Sequence, residues 1–245
     1  MLAKTPQDSV TSIKLALEDY LYNEVQGHVQ SGPFTGMSLL REVAWVETYL
    51  PPLLLGCYEE ELHGVINQQI IRLNKFERTP NIVVVGCAEG YYAVGLACRI
   101  PKARVYALDK EDTALEISTK AAKANAAQLC TGRSLDEVFE APDFIVMDCE
   151  GAEVEYLNLD KFPALANAQI IVELHNYDGQ KTDDILLERF RGTHRIDLIA
   201  EGPRNPNNYK QLCPLPSDHR WLAVSEGRPC LMGWYSMTPR GMSIR

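Results

Sequence analysis

The 245-residue chain has no C-x-x-C pair, no run of Lys or Arg, no internal repeat and no long apolar stretch. Each absence removes a class of protein. The seven cysteines, at 57, 87, 98, 130, 149, 213 and 230, are odd in number and unpaired in spacing, which speaks against a zinc ribbon and against a complete disulfide framework. With 24 Lys+Arg against 33 Asp+Glu the formal charge is −9, and no basic stripe is available to neutralise a row of phosphates, so nucleic acid is not an expected partner. Apolar residues reach 46% but fall in short runs, so no membrane span is expected. The opening MLAKTPQDSV has no apolar signal core, and a cytoplasmic location is the default expectation.

What is present is an alternation of helical and strand-like patterns. Segments 10–24 and 38–50 have helical spacing, separated by the breaker-rich SGPFTGMS, and the second ends at Pro51-Pro52. Segment 58–76 carries one apolar stripe through Leu62, Val65, Ile66, Ile70 and Leu73. After Thr79-Pro80 the β-branched run NIVVV ends in glycine, as a strand buried on both faces would. A helix at 89–99, the strand ARVYALD, a helix at 112–127, the strand FIVMD, a short helix near Glu153, the strand AQIIVELH, a helix at 183–190 and the strand RIDLIA follow. WLAVS and LMGWYSM, joined through EGRPC without room for a crossover helix, are expected to pair antiparallel. The predicted fold is α/β: a Rossmann-like, doubly wound, mostly parallel sheet with an antiparallel edge strand over residues 79–245, preceded by a helical extension over 1–78.

In such sheets a ligand sits beyond the carboxyl ends of the strands, so the residues after each apolar run carry the chemistry. The first end reads VVVGCAEGYYAVG, a G-x-x-x-G turn at Gly86 and Gly90. A dinucleotide fingerprint has a middle glycine; here that place is Ala88, and Glu89 follows. A carboxylate there repels pyrophosphate and suits a cationic ligand such as S-adenosylmethionine. Asp109 ends the next strand 23 positions after Gly86, at the spacing of an acid that accepts ribose hydroxyls. The third and fourth ends, IVMDCEGAE and IIVELHNYD, bring Asp148, Glu150, Glu173 and His175 toward one rim, a set able to position an acceptor hydroxyl, take its proton or hold a hard cation. His175 is open to three roles: general base, metal ligand or structural histidine. A resident metal is not expected.

These motifs resemble the FkbM-type branch of class I methyltransferases: GCAEGYYAVGLA, the strand ending in Asp109, SLDEVFEAPDFIVMDCEGAE and VELHNY occur in that branch's order, over residues 56–176, with GCYEEEL as a weaker upstream match. The resemblance implies S-adenosylmethionine as cofactor. It places Gly86, Glu89, Gly90 and Tyr91 around the methionine part, with Cys87 between them, Asp109 and its neighbour Lys110 at the ribose, and Asp148 near the methyl group. It also implies O-methylation of a small-molecule hydroxyl, such as a sugar or secondary metabolite, with Glu150, Glu173 and His175 positioning the acceptor. One departure is the short 126–143 stretch, which leaves little room for a third strand; Gln128-Leu129-Cys130 reads as its remnant, with Ser134 and Leu135 as neighbours of the adenine. Two rival readings are a nicotinamide-dependent oxidoreductase, disfavoured by Ala88 and Glu89, and a non-catalytic relative that keeps the fold as a binding module.

Overall fold

The computed structural model describes residues 6–44, 49–138, 140–176, 179 and 181–242. Its first helix, α1 (Pro6–Glu24), covers the expected segment and buries Leu17 and Leu21. The 38–50 segment is not helical before Leu50 where it is described. Ser38 makes an antiparallel bridge with His28, and its amide and carbonyl are both bonded by the Asn125 side chain at 2.8 Å. That clamp satisfies the backbone groups a helix would have used and overrides the local spacing. Residues 45–48 of the segment lie outside the described residues. Pro51-Pro52, expected to stop a helix, instead opens α2 (Leu50–Leu55), because proline in a first turn gives up no intrahelical hydrogen bond. After a single 3-10 turn, α3 (His63–Asn74) buries the predicted Ile66, Ile70 and Leu73.

The chain then alternates through β1 (Asn81–Val85), α4 (Tyr91–Arg99), β2 (Arg104–Leu108), α5 (Asp112–Ala124), β3 (Cys130–Gly132), β4 (Phe144–Met147), α6 (Glu153–Tyr156), β5 (Gln169–Glu173), α7 (Thr182–Phe190), β6 (His194–Ala200), α8 (Ser217–Ala223) and β7 (Gly233–Pro239). Among the described residues these strands form a seven-stranded sheet in the order β3-β2-β1-β4-β5-β7-β6. The first five run parallel, and β7 enters antiparallel between β5 and the edge strand β6. This is the Rossmann-like, mostly parallel sheet that the alternation predicts. β4 and β5 are buried at every residue, as strands covered on both faces must be.

Two expectations near the ends of the sheet are corrected. WLAVS is not a strand: its first three residues belong to α8, and β6 rather than WLAVS pairs with β7. A five-residue apolar run does not by itself separate helix from strand. Here Pro216 just before the helix and Asp218 in its first turn favour helix, leaving Trp221 exposed and Ala223 buried. The third strand exists but is three residues long, and of the expected remnant only Cys130 belongs to it.

Strand alternation divides the interior. Ile82, Val84, Val146 and Ile171 face one core together with Leu17, Leu21, Leu53 and Leu54 from the N-terminal extension. Val83, Val85, Ile145 and Met147 face the other, against Leu186 and Phe190 of α7. Each buried leucine contributes about 1.5–3 kcal/mol before conformational entropy is subtracted, so the extension is fastened to the sheet and carries α2 toward its carboxyl rim. Among the described residues no helix is long and apolar enough to cross a membrane.

Candidate active site

Parallel register sets four strand ends side by side: Val85 pairs with Leu108 and Met147, and Met147 pairs with Val172. Gly86, Asp109, Asp148 and Glu173 therefore leave the sheet at one rim, as the strand-end reading predicts. A cavity of about 390 Å³ opens there. On the β2 side its wall includes Gly86, Ala88, Glu89, Asp109, Lys110 and Arg133; on the β5 side it includes Tyr58, Asp148, Glu150, Glu173, His175 and Arg228.

The glycine corner is needed by the fold itself. Gly86 sits in the left-handed region (φ +75°), and a Cβ there would collide with the carbonyl oxygen of Asp148. Only glycine lets β1 and β4 part this closely at the switch in strand order. The buried Asp109 then fixes the turn: Oδ2 accepts from the Ala88 amide and Oδ1 from the Glu111 amide, both at 3.0 Å. A carboxylate has about four acceptor positions, so each oxygen keeps one for a ligand.

Five of the sequence-predicted residues do not border this cavity. Cys87 is buried with its sulfur 3.9 Å from the Ser118 hydroxyl, and burial first, then the Asp109 charge, push its thiol up to about 12. Gly90 supplies the left-handed start of α4. Tyr91 packs edge-on against Phe34 at 5.2 Å and Tyr58 at 5.6 Å between ring centres. Ser134 caps a 3-10 turn through a reciprocal bond with Glu137, and Leu135 joins the second core. Arg133, one residue earlier, does reach the cavity wall.

On the β5 side the side chains form a web around His175 and Arg228, the two cations that border the cavity there among the described residues, with the buried Arg204 behind them 2.5 Å from Glu226. His175, 2% exposed, places Nδ1 2.8 Å from Oε1 of the fully buried Glu153. Its Nε2 lies 3.2 Å from Glu173, 3.4 Å from Glu150 and 3.7 Å from Asp148. Burial opposes charge on this ring, but hydrogen bonds to Glu153 and Glu173 and the Asp148 charge outweigh it and raise His175 to about 10. The ring is therefore an imidazolium at neutral pH. Burial likewise opposes charge on Glu173, yet the bond from His175 and the charge of Arg228 hold its carboxyl below the usual range. Asp148 is pushed well above the usual range by burial, then by the charges of Glu173 and Glu59.

Arg228 is the second cation. Its guanidinium binds Glu173, Glu59 (2.8 Å) and Glu226 (2.9 Å), joining the loop before β7 to β5 and to the turn before α3. Glu59, fully buried, also accepts from the Tyr92 hydroxyl, and burial first, then the Glu173 charge, raise it to about 8. Sequence reading singled out none of Glu59, Glu226, Arg228 and Tyr58. The first and last lie in GCYEEEL, quoted only as a weaker upstream motif match, and Glu226 and Arg228 lie in EGRPC, read as a mere connector. The tight EGRPC loop, unable to hold a helix, was the available signal.

Asp148, Glu173 and His175 each offer one ligand atom within 4.8 Å of the others, a spacing compatible with a metal ion. Arg228 on Glu173 works against a cation at that point.

No family model and no curated protein matches the chain, so the resemblance to the FkbM-type branch rests on the quoted motifs. Among solved structures the chain is similar to the delta-N METTL16 MTase domain, with 10% identity, 94% of this chain and 96% of that chain covered, and a TM-score of 0.51. It is similar also to the human methyltransferase 10 domain containing protein, with 11% identity, 94% and 97% covered, and a TM-score of 0.50. At such identities the likeness concerns the backbone, and with the strand order above it shows that this chain has the Rossmann-like methyltransferase fold.

Proposed function

We propose that the protein is an S-adenosylmethionine-dependent methyltransferase whose site is the rim cavity. The observation that carries this reading is the joining, in one cavity, of Gly86, Glu89 and Asp109 with Asp148, Glu173 and His175. The residues fit the cofactor: Asp109 keeps acceptor positions for two ribose hydroxyls, Glu89 suits an ammonium group, and Arg133 and Lys110 border the place of the base. Glu89 and Ala88 stand where a dinucleotide's pyrophosphate would need a bare backbone, which disfavours the nicotinamide reading.

The cofactor supplies a methyl group activated on a sulfonium; the chain aligns the acceptor and manages its proton. Asp148, at the end of β4, lies between the two sides of the cavity and is the group we assign to proton removal. His175 already carries two protons at neutral pH and serves as a fixed cation that orients Glu173 and Asp148. Residues 1–78 act as an extension that supplies Pro52, Leu53 and Tyr58 to the wall over the 79–245 methyltransferase unit. The motif resemblance adds a small-molecule hydroxyl as acceptor, and the net charge of −9 keeps nucleic acid outside the proposal.

Crystals grown with S-adenosylhomocysteine test the assignment. The expected density has ribose hydroxyls on Asp109 and sulfur facing Asp148; a product bound elsewhere, or none, sinks it.

A further inference from the structure

At one end of the sheet β6 pairs with β7 alone, and among the described residues no further strand lies beyond it. The ladder fixes which of its backbone groups are left over. Just outside the strand, and in step with its register, the Arg240 amide donates to the Thr193 carbonyl at 2.9 Å and the Glu201 amide to the Met232 carbonyl at 3.2 Å. Bonded pairs in an antiparallel ladder recur at every second residue, so Arg195, Asp197 and Ile199 are tied to β7 while His194, Ile196, Leu198 and Ala200 turn their amides and carbonyls outward. Such an edge is a template for another strand. Its side chains are open as well: Leu198 is 64% exposed, and Arg195 and Asp197, 58% and 53% exposed, lie 3.0 Å apart on the opposite face.

We infer that β6 is the interface between two copies of this chain, paired antiparallel about a two-fold axis at Ile196. The inference stands apart from the methyltransfer reading. With the axis there, Ile196 bonds the partner's Ile196, and His194 and Leu198 bond the partner's Leu198 and the partner's His194, so the outward-turned groups of both strands meet. Arg195 then stands opposite the partner's Asp197, and Asp197 opposite the partner's Arg195, at the non-bonded positions where Cα atoms come within about 4.5 Å. Neighbouring axes lose this match. At Arg195 or Asp197 the axis sets like charges against each other, and at Leu198 it sets Asp197 against the partner's Ile199. Charges on an exposed edge commonly keep other strands away, but a cation and an anion two residues apart complement themselves after a two-fold rotation. A second copy is therefore the occupant that fits, and Ile196, which packs on the α7 side of the sheet, supplies the apolar centre of the contact.

Sedimentation velocity of the full chain tests this. The expected species at roughly 100 µM protein has twice the mass of one chain and dissociates in about the micromolar range, as suits a small interface. Arg195→Asp and Asp197→Arg each turn two attractive contacts per dimer into two repulsive ones, and each weakens association by about tenfold or more. The double variant carrying both changes restores opposite charges across the axis and returns association to within about threefold of the unaltered chain. Leu198→Pro removes one outward-turned amide while leaving the β7 ladder its bonds, and it also weakens association by about tenfold. Circular dichroism and thermal unfolding of each variant separate loss of pairing from loss of fold. A monomer at that concentration overturns the inference. So does a dimer that either single reversal leaves intact or that the double variant fails to restore, and so does a mass that grows past the dimer, which would mark an open-ended contact instead of a closed pair.

Discussion

Oε1 of Glu153 lies 2.8 Å from Nδ1 of His175, with both side chains closed to solvent. The same oxygen accepts from the amides of Cys149 and Gly151, at 3.3 and 3.2 Å, so one carboxylate fixes both the loop after β4 and the ring after β5. Its bond to His175, outweighing burial, keeps Glu153 below the usual carboxylate range.

The first prediction concerns that ring. His175 is expected to show two protonated nitrogens at pH 7 in nitrogen-detected imidazole NMR, titrating near pH 10. Because its proton is held more tightly in the folded state than at the ordinary value of 6.5, its stabilising contribution is complete below about pH 6.5 and is lost as the pH rises through about 10. A neutral ring at pH 7 would contradict the charge assignment and restore His175 as a base.

Glu153→Gln removes the charge that holds this proton. The variant is expected to lose about 3 kcal/mol in urea unfolding, in the range for breaking one partner of a buried pair, and to lower the His175 titration point. A loss of stability without a shift in the titration would mean that Glu153 serves the loop alone.

Arg228→Ala leaves Glu59, Glu173 and Glu226 without their shared cation. We expect a loss of about 3–5 kcal/mol at pH 8 and a smaller one at pH 5.5. The sign follows from Glu59, already raised to about 8: removing the arginine raises it further, so protonation at low pH relieves the variant, and the deficit grows as the pH climbs. Equal losses at the two pH values would show that Arg228 acts by packing.

Most of the fold is legible in the sequence because strands buried on both faces must be continuous apolar runs, and NIVVV, FIVM and QIIVE have no other stable use. The misread segments are those decided by distant partners. Ser38 is held out of a helix by Asn125, 87 positions away, and no local spacing reports that clamp. For the site, Gly86, Glu89, Asp109, Asp148, Glu150, Glu173 and His175 are legible because strand ends are fixed by topology. The Glu59–Arg228 contact, with 169 positions between its partners, comes from two loops whose meeting depends on the whole fold. His175 was legible as a residue but not as a charge, since its proton depends on Glu153, which reads in sequence only as the start of a short helix.

Gly86→Ala separates the turn from the ligand. The change is expected to destabilise the protein by more than about 1–2 kcal/mol, the left-handed strain alone, because the added methyl meets the Asp148 carbonyl. Thermal unfolding without ligand reads this directly, and an unaltered midpoint would show that the β1–β4 corner can open.

The most direct test of the central claim is calorimetric titration of the full chain with S-adenosylhomocysteine, with Asp109→Ala alongside. The account predicts one site per chain, with affinity lost by about tenfold or more in a variant that circular dichroism shows to be folded, as removal of hydrogen bonds to a charged group implies. No heat of binding in the unaltered protein, or unchanged affinity in the folded Asp109→Ala variant, would contradict it.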